Sequence, residues 1–269
     1  MPLVKYEAIK IQRRGLILID QINEIIAEYE AAGYSLTLRQ VYYQLVSKDI
    51  IENTEKSYKQ IGNLVNNGRL AGLIDWEAIE DRTRTHRALS HWDTPAEIVE
   101  TAARQYRRDL WEGQKKYCEI WVEKDALIGI VEQAAERLDT PCFSCRGYPS
   151  QSAVWAAAMR FISKTEQGRE CVIIHLGDHD PSGIDMTRDI RERMAIFGAT
   201  VDVNRIALNM PQIRQYRPPP NPAKETDTRA AGYIAEHGSH SWELDALKPE
   251  ILDGLITEAI KNNLRPKTL

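Results

Sequence analysis

Apolar positions in the first third of the chain recur at helical spacing. Ile9, Ile11, Leu16, Ile19, Ile22, Ile25 and Ile26 predict a helix over residues 4–32, stopped by Gly33. Ser35 and Thr37 are placed to cap a second helix, LRQVYYQLVSKD. A third begins near Thr54, runs through Tyr58, Ile61, Leu64 and Val65, and is expected to break at Asn66-Asn67-Gly68. A short fourth element, LAGLIDWEAI, follows, and residues 80–113 read as charged and helical. Short helices joined by tight turns are the pattern of helix-turn-helix and winged-helix modules.

From about residue 114 the periodicity changes. KYCEIWVEK, CFSCRG, ECVIIHLGDHD and VDVNRIAL read as strands, and the amphipathic segments between them read as helices. Strands alternating with helices of that length predict βαβ units on a parallel sheet. The expected class is therefore α/β, with a helical domain over 1–113 and a sheet domain over 114–269. Residues 211–241, with Pro218-Pro219-Pro220, read as a loop-rich surface segment, and the C-terminal stretch from Ser241 reads as helical. No internal repeat or low-complexity tract interrupts the pattern.

At 269 residues, 43% hydrophobic and 28% charged, the chain has the composition of a globular protein. No apolar run approaches the ~20 residues needed to cross a bilayer. The first residues lack the apolar core of an export signal, so a cytoplasmic, nucleoid-associated location is expected. Cys118, Cys142, Cys145 and Cys171 are expected to be reduced; no second pair completes the Cys142–Cys145 spacing into a zinc site. A net charge of −4 confines any nucleic-acid surface to local clusters. Arg82, Arg84, His86 and Arg87 form one, Arg104, Arg107 and Arg108 a second, Lys115 and Lys116 a third. A solvated helix face would look the same.

The candidate chemistry sits where strands give way to helices. In an open parallel sheet, ligands bind beyond the carboxyl ends of the strands. Glu123 ends the first strand, and Asp178 and Asp180 end the third. If those strands are neighbours, three carboxylates converge at one edge. Oxygen ligands of this kind suit Mg2+, which can also hold a phosphodiester under attack. Carboxylates at such positions also cap helices, a role open to Asp180 ahead of Pro181-Ser182-Gly183. His179 should point to the opposite side of an extended chain and is left out of the set. Asp185, His237 and His240 read as surface residues, and Arg146 as a candidate phosphate contact.

Val122-Glu-Lys-Asp-Ala-Leu127, Arg146-Gly-Tyr-Pro-Ser150 and Gly177-Asp-His-Asp-Pro-Ser-Gly-Ile-Asp185 together resemble a Toprim domain. The version they resemble is that of the topoisomerase VI A subunit and the related meiotic double-strand-break transesterase. Trp242-Glu-Leu-Asp-Ala-Leu247 resembles the segment after that family's Toprim core. The resemblance spans about residues 35–260. It implies a winged-helix (CAP-like) domain followed by a Toprim domain, with Mg2+ held by Glu123, Asp178 and Asp180. Thr37-Leu-Arg-Gln-Val-Tyr-Tyr43 matches the family's nucleophile segment. Tyr43 is then the nucleophile, forming a 5′-phosphotyrosine on double-stranded DNA, Arg39 a DNA-phosphate partner and Tyr42 a supporting residue. The resemblance also implies a homodimer in which the tyrosine of one subunit meets the metal site of the other, and a separate ATPase (B-type) subunit.

This sequence departs from the family at Gln40, where an acidic residue is usual, and in its shorter length. It contains no GxxxxGK[ST] phosphate loop of its own. Two other readings stay open: a Toprim nuclease hydrolysing DNA with metal-activated water, and a winged-helix DNA-binding protein without catalysis.

Overall fold

The computed structural model describes residues 3–80, 91–107, 109–224 and 226–264, so Arg82, Arg84, His86, Arg87 and Arg108 lie outside it. Helix α1 (Arg13–Ala31) buries Ile19, Ile22, Ile25, Ile26 and Tyr29 along one stripe. Residues 4–12 are not part of it, contrary to the spacing of Ile9 and Ile11. No side chain between residues 3 and 12 is buried, so a helix there would have no apolar face to cover. The Tyr6 and Glu7 N–H groups donate instead to the Leu70 carbonyl, at 2.9 and 3.0 Å. Gly33 ends α1 at φ +80°, the left-handed conformation glycine adopts without strain.

Strand β1 (Leu36–Thr37) leads into α2 (Leu38–Ser47). Thr37 caps α2: its hydroxyl accepts from the Gln40 N–H at 3.4 Å, and Gln40 Oε1 accepts from the Thr37 N–H at 2.8 Å. The residue that departs from the expected acid thus closes the capping box. Helix α3 (Glu55–Leu70) runs straight through the expected break at Asn66-Asn67-Gly68. A Cβ at Gly68 would lie 2.8 Å from Ile74 Cδ1, so glycine is there to let the returning chain pack close, not to turn it. That return, residues 71–79, is a series of turns and not a fourth helical element; it leads to β2 (Ile79–Glu80), paired parallel to β1. Of the expected helical stretch 80–113, residues 81–90 and 108 lie outside the described residues, and among the described ones helix is confined to α4 (Pro95–Gln105). Helices α1 to α3, with Ile74, Ile79 and the distant Ala246, share one core.

The second half is the expected α/β arrangement. Strands β3 (Lys116–Val122), β4 (Cys142–Ser144), β5 (Glu170–Leu176) and β6 (Asp202–Ala207) form one parallel sheet in the order β4-β3-β5-β6. Helices α5 (Ile128–Glu136), α6 (Gln151–Glu166) and α7 (Pro181–Ile196) make the crossovers. Alternation along the strands feeds two cores. Cys118, Ile120 and Val122 with Val172, Ile174 and Leu176 pack against α5, while Trp121 and Ile173 pack against α6 and α7.

Residues 211–241 hold more structure than their composition suggests: α8 (Met210–Tyr216), a hairpin of β7 (Asn221–Pro222) with β8 (His240–Ser241), and α9 (Ala230–His237). The anchors are polar and tertiary. Asn209 and Gln212 cap α8 reciprocally, and the Tyr233 hydroxyl donates to the carbonyls of His179 (2.8 Å) and His240 (3.0 Å). His179 and Trp242 then exchange backbone hydrogen bonds of 2.8 and 2.9 Å, clamping the chain after β8 onto the end of β5. A 3-10 turn (Leu244–Ala246) and α10 (Pro249–Lys261) follow, the latter covering the α5 side of the sheet. No helix among the described residues is long and apolar enough to cross a membrane. Because Thr37 caps the first turn of α2, Thr37→Ala should cost about 1 kcal/mol, measured by urea unfolding.

Candidate functional site

Strands β3 and β5 are neighbours in register, Val122 opposite Leu176, so Glu123 and the Gly177–Asp180 turn meet at one carboxyl edge of the sheet. Glu123 Oε2 accepts the Asp178 N–H at 2.9 Å. Two glycines make this approach possible. A Cβ on Gly177 would stand 2.8 Å from Glu123 Oε2, and one on Gly183 would stand 3.0 Å from it and 2.3 Å from the Asp178 carbonyl. Asp180 caps α7, its Oδ1 accepting from the Gly183 N–H at 2.6 Å and the Ser182 hydroxyl at 2.9 Å. Asp178 Oδ1 accepts the Leu244 N–H at 2.8 Å, and Oδ2 lies 2.9 Å from Lys124 Nζ.

These groups belong to a larger charged set. Lys124 also pairs with Asp245 at 3.0 Å and with Glu243. Arg39, reaching from α2, pairs through Nε with Asp245 at 2.8 Å and through Nη2 with Glu243 at 2.9 Å. The Asp245 side chain has no exposure and carries both cations. Arg205, from β6, runs beneath the edge and donates to the carbonyls of Gly183 (2.8 Å), Gly177 (2.9 Å) and Asp178 (2.6 Å). Five carboxylates, Glu123, Asp178, Asp180, Glu243 and Asp245, thus face three cations, Arg39, Lys124 and Arg205.

That imbalance registers on the titrations. Burial, then the neighbouring Asp178, pushes the Glu123 carboxyl up to about 7, with Asp180 adding to the effect. Burial raises Asp178 as well, against the pull of Lys124. Among the described residues no group of three or more His, Cys, Asp and Glu side chains is set to hold a metal ion as it stands. Asp178 is engaged on both oxygens. Mg2+ needs only one or two carboxylates and keeps several waters, and the Glu123–Asp180 side, with its two-charge deficit and glycine-lined floor, has the donor chemistry for that mode.

Tyr43 opens onto the same place. A cavity of about 550 Å3 is lined by Arg39, Tyr43, Asp178, Asp180, Asn221 and Trp242, among others. Arg39 and Tyr43 lie one turn apart on α2, with the guanidinium 5.5 Å from the centre of the phenol ring. Tyr43 is only 6% exposed. Burial, then Asp245, pushes its phenol up to about 12, while Arg39 and a hydrogen bond from Asn221 pull the other way. The Tyr42 hydroxyl donates to Asn53 Oδ1 at 2.9 Å and the Thr54 carbonyl at 3.1 Å, tying α2 to the start of α3. Arg146 stands apart, its side chain 72% exposed and paired with Asp125 at 3.1 Å, on a smaller hollow that also touches Arg39, Glu123 and Lys124. A wider depression of about 1060 Å3 between α1 and α3 touches none of the five carboxylates.

Other expectations resolve simply. His179 turns away from the carboxylates, its Nδ1 2.8 Å from the Tyr233 hydroxyl. All four cysteines are free. Asp185 accepts from Tyr148 at 2.7 Å and pairs with Arg188 and Arg229 at 2.7 and 2.8 Å, outside the carboxylate group. The residues that sequence reasoning passed over are Lys124, Arg205, Asn221, Glu243 and Asp245. A charged residue inside a buried strand was a usable sign for Arg205, and Lys124 followed Glu123 in a quoted motif; Asn221 carried no sign at all. No protein-family model and no curated protein matches the chain, so the functional argument rests on this geometry.

Removing the charge of Asp245 takes away a buried partner of both Arg39 and Lys124, which keep Glu243 and, for Lys124, Asp178, so Asp245→Asn should cost on the order of 3 kcal/mol or less in denaturant unfolding. The folded protein keeps a proton on Glu123 up to about pH 7 that the unfolded chain releases near its ordinary 4.5. Stability should therefore fall as pH rises through that window. Glu123→Gln should flatten the fall, read as a smaller drop in melting temperature between pH 5 and pH 8 than the unaltered protein shows.

Proposed function

We propose that this protein is a magnesium-dependent DNA-cleaving transesterase of the type IIB topoisomerase A-subunit kind. On this reading residues 1–113 act as the winged-helix half carrying Tyr43, and residues 114–269 as the Toprim half carrying Glu123, Asp178 and Asp180. The observation that supports it most is the single cavity onto which the Tyr43 phenol, Arg39 and the Asp178/Asp180 edge all open. Three carboxylates, Asp178, Asp180 and Glu243, line that cavity with the phenol.

The chemistry follows from the groups present. Mg2+ bound at Glu123 and Asp180 would neutralise the surplus charge and polarise a phosphodiester oxygen. Arg39 and Lys124 hold the phosphate from the α2 side and the sheet side. The Tyr43 oxygen gives up its proton and bonds to phosphorus. The bond from phosphorus to the 3′ oxygen breaks, and that oxygen leaves taking up a proton, so the strand end stays on the protein as a 5′-phosphotyrosine. Because burial holds the phenol near 12, the step depends on positive charge brought close to it. Arg146 and Lys224 at the margins supply further contacts to the DNA backbone. A homodimer, a separate ATPase subunit and a place on the nucleoid belong to the same proposal.

One observation favours a second reading, hydrolysis by a Toprim nuclease. A Glu123 carboxyl near 7 is poised to take a proton from attacking water, without any role for the buried tyrosine. Supercoiled plasmid incubated with the protein and Mg2+ separates the two. Transesterification yields protein-linked 5′ ends, abolished in Tyr43→Phe and reduced at least a hundredfold in Asp180→Asn. Free ends that persist in Tyr43→Phe establish hydrolysis instead, and binding without cleavage under any divalent metal leaves a DNA-binding protein.

A further inference from the structure

Arg205, on β6, meets the Gly177–Gly183 turn at its carbonyls, while the carboxylates take up N–H groups of the same turn. We infer that Arg205 is the positioning residue of this edge: its guanidinium fork fixes the turn, and through the turn it sets Glu123 and Asp180 where a divalent cation can use both. The inference rests on the metal reading above. It adds a residue outside the ligand set whose part in metal binding comes from geometry and not from charge.

Two units of the turn are gripped from both sides. The Gly177–Asp178 peptide accepts from Arg205 Nη2 at 2.9 Å through its carbonyl and donates to Glu123 Oε2 at 2.9 Å through its N–H. A peptide group is planar, so fixing its oxygen also fixes the direction of its N–H, and with it the carboxylate that the N–H binds. Gly183 repeats the arrangement within one residue. Its N–H donates to Asp180 Oδ1 at 2.6 Å, and its carbonyl accepts from Arg205 Nη1 at 2.8 Å. The fork also reaches the carbonyls of Asp178 at 2.6 Å and Leu208 at 3.3 Å, with Thr187 Oγ1 3.4 Å from Nη1. One side chain thus joins the end of β5, the first turn of α7 and the chain leaving β6.

The shape of the guanidinium is what this needs. Its two terminal nitrogens point to different segments at once, whereas a lysine ammonium is a single point on a flexible stem. Charge alone would act in the other direction, because a positive group close to Glu123, Asp178 and Asp180 repels a second cation at the same carboxylates. The two effects therefore have opposite signs. Loss of the fork weakens metal binding if geometry dominates, and loss of the charge strengthens it if charge dominates.

Mn2+ binding, followed by water-proton relaxation, separates them. Arg205→Lys keeps the charge and loses the fork, Arg205→Gln loses both, and Asp180→Asn marks the site. The dissociation constant should rise about tenfold or more in both Arg205 variants, the lysine giving no rescue. An unchanged constant in Arg205→Lys, or tighter binding in Arg205→Gln, overturns the inference.

Hydrogen exchange reads the turn with no metal present. In Arg205→Lys the amides of Asp178 and Gly183 should lose protection, while those of Ile173 and Ile174 within β5 keep it. Unchanged protection at the turn sinks the inference, and so does loss throughout β5, since the arginine would then be holding the sheet. If the unaltered protein binds Mn2+ no better than Asp180→Asn, the metal reading fails, while the exchange pattern still decides whether Arg205 positions the turn.

Discussion

Asp245 is the charge on which the site depends. A carboxylate with no solvent exposure persists only if cations and donors surround it, and here Arg39 and Lys124 do so from opposite sides. One comes from α2 and the other from the turn after β3. The same buried charge therefore joins the helical half of the chain to the edge of the sheet. Lys124 extends the link to Asp178, whose other oxygen is fixed by the Leu244 N–H. Without Asp245 the helix bearing Tyr43 would keep only the Arg39–Glu243 pair and the packing of Ala246 to locate it against the carboxylates.

A second constraint is the surplus of negative charge. The pairs around Asp245 leave Glu123 and Asp180 without an equal number of cations, and burial makes that costly. The protein answers in part with Arg205, whose guanidinium takes up carbonyls of the Gly177–Gly183 turn and lends its charge from beneath. The rest appears as the raised Glu123 carboxyl. Glycine at 183 is the steric counterpart: a Cβ there would stand 2.3 Å from the Asp178 carbonyl, and one at 177 would press on the Glu123 carboxylate. On the proposed reading, a divalent ion carrying a phosphate would offset that surplus at the wall of the cavity that Asp178 and Asp180 line.

Tyr43 shows the compromise in the proposed chemistry. Its burial fixes one orientation, with the guanidinium of Arg39 over the ring and Asn221 on the same cavity. The same burial makes the phenolate harder to form. Precise placement is gained and intrinsic reactivity is lost, so the work of activation passes to whatever charge arrives with the substrate.

Local pattern was enough to read much of this from the chain. The alternation of buried strands and amphipathic helices set the parallel sheet, and because ligands gather at carboxyl ends of strands, Glu123, Asp178 and Asp180 could be named in advance; Arg39 and Tyr43 came from the family resemblance, on the helix that LRQVYYQLVSKD predicts. What local pattern misjudged were segments whose state is decided by distant partners. Residues 4–12 have helical spacing but nothing to bury it against, α3 passes through Gly68 because Ile74 needs the room, and residues 211–241 fold around Tyr233 despite their prolines. The partners of the site were equally out of reach. Asp245, Lys124 and Asn221 are ordinary polar residues in sequence, separated from α2 by some 80 to 200 positions. Helical and strand periods are properties of neighbouring residues, so the sequence alone determined the strands of the parallel sheet, the helices between them and the carboxylates at the strand ends. Which charges are buried together, and so what holds the tyrosine to them, is a property of the packed chain, and only the tertiary structure decided it.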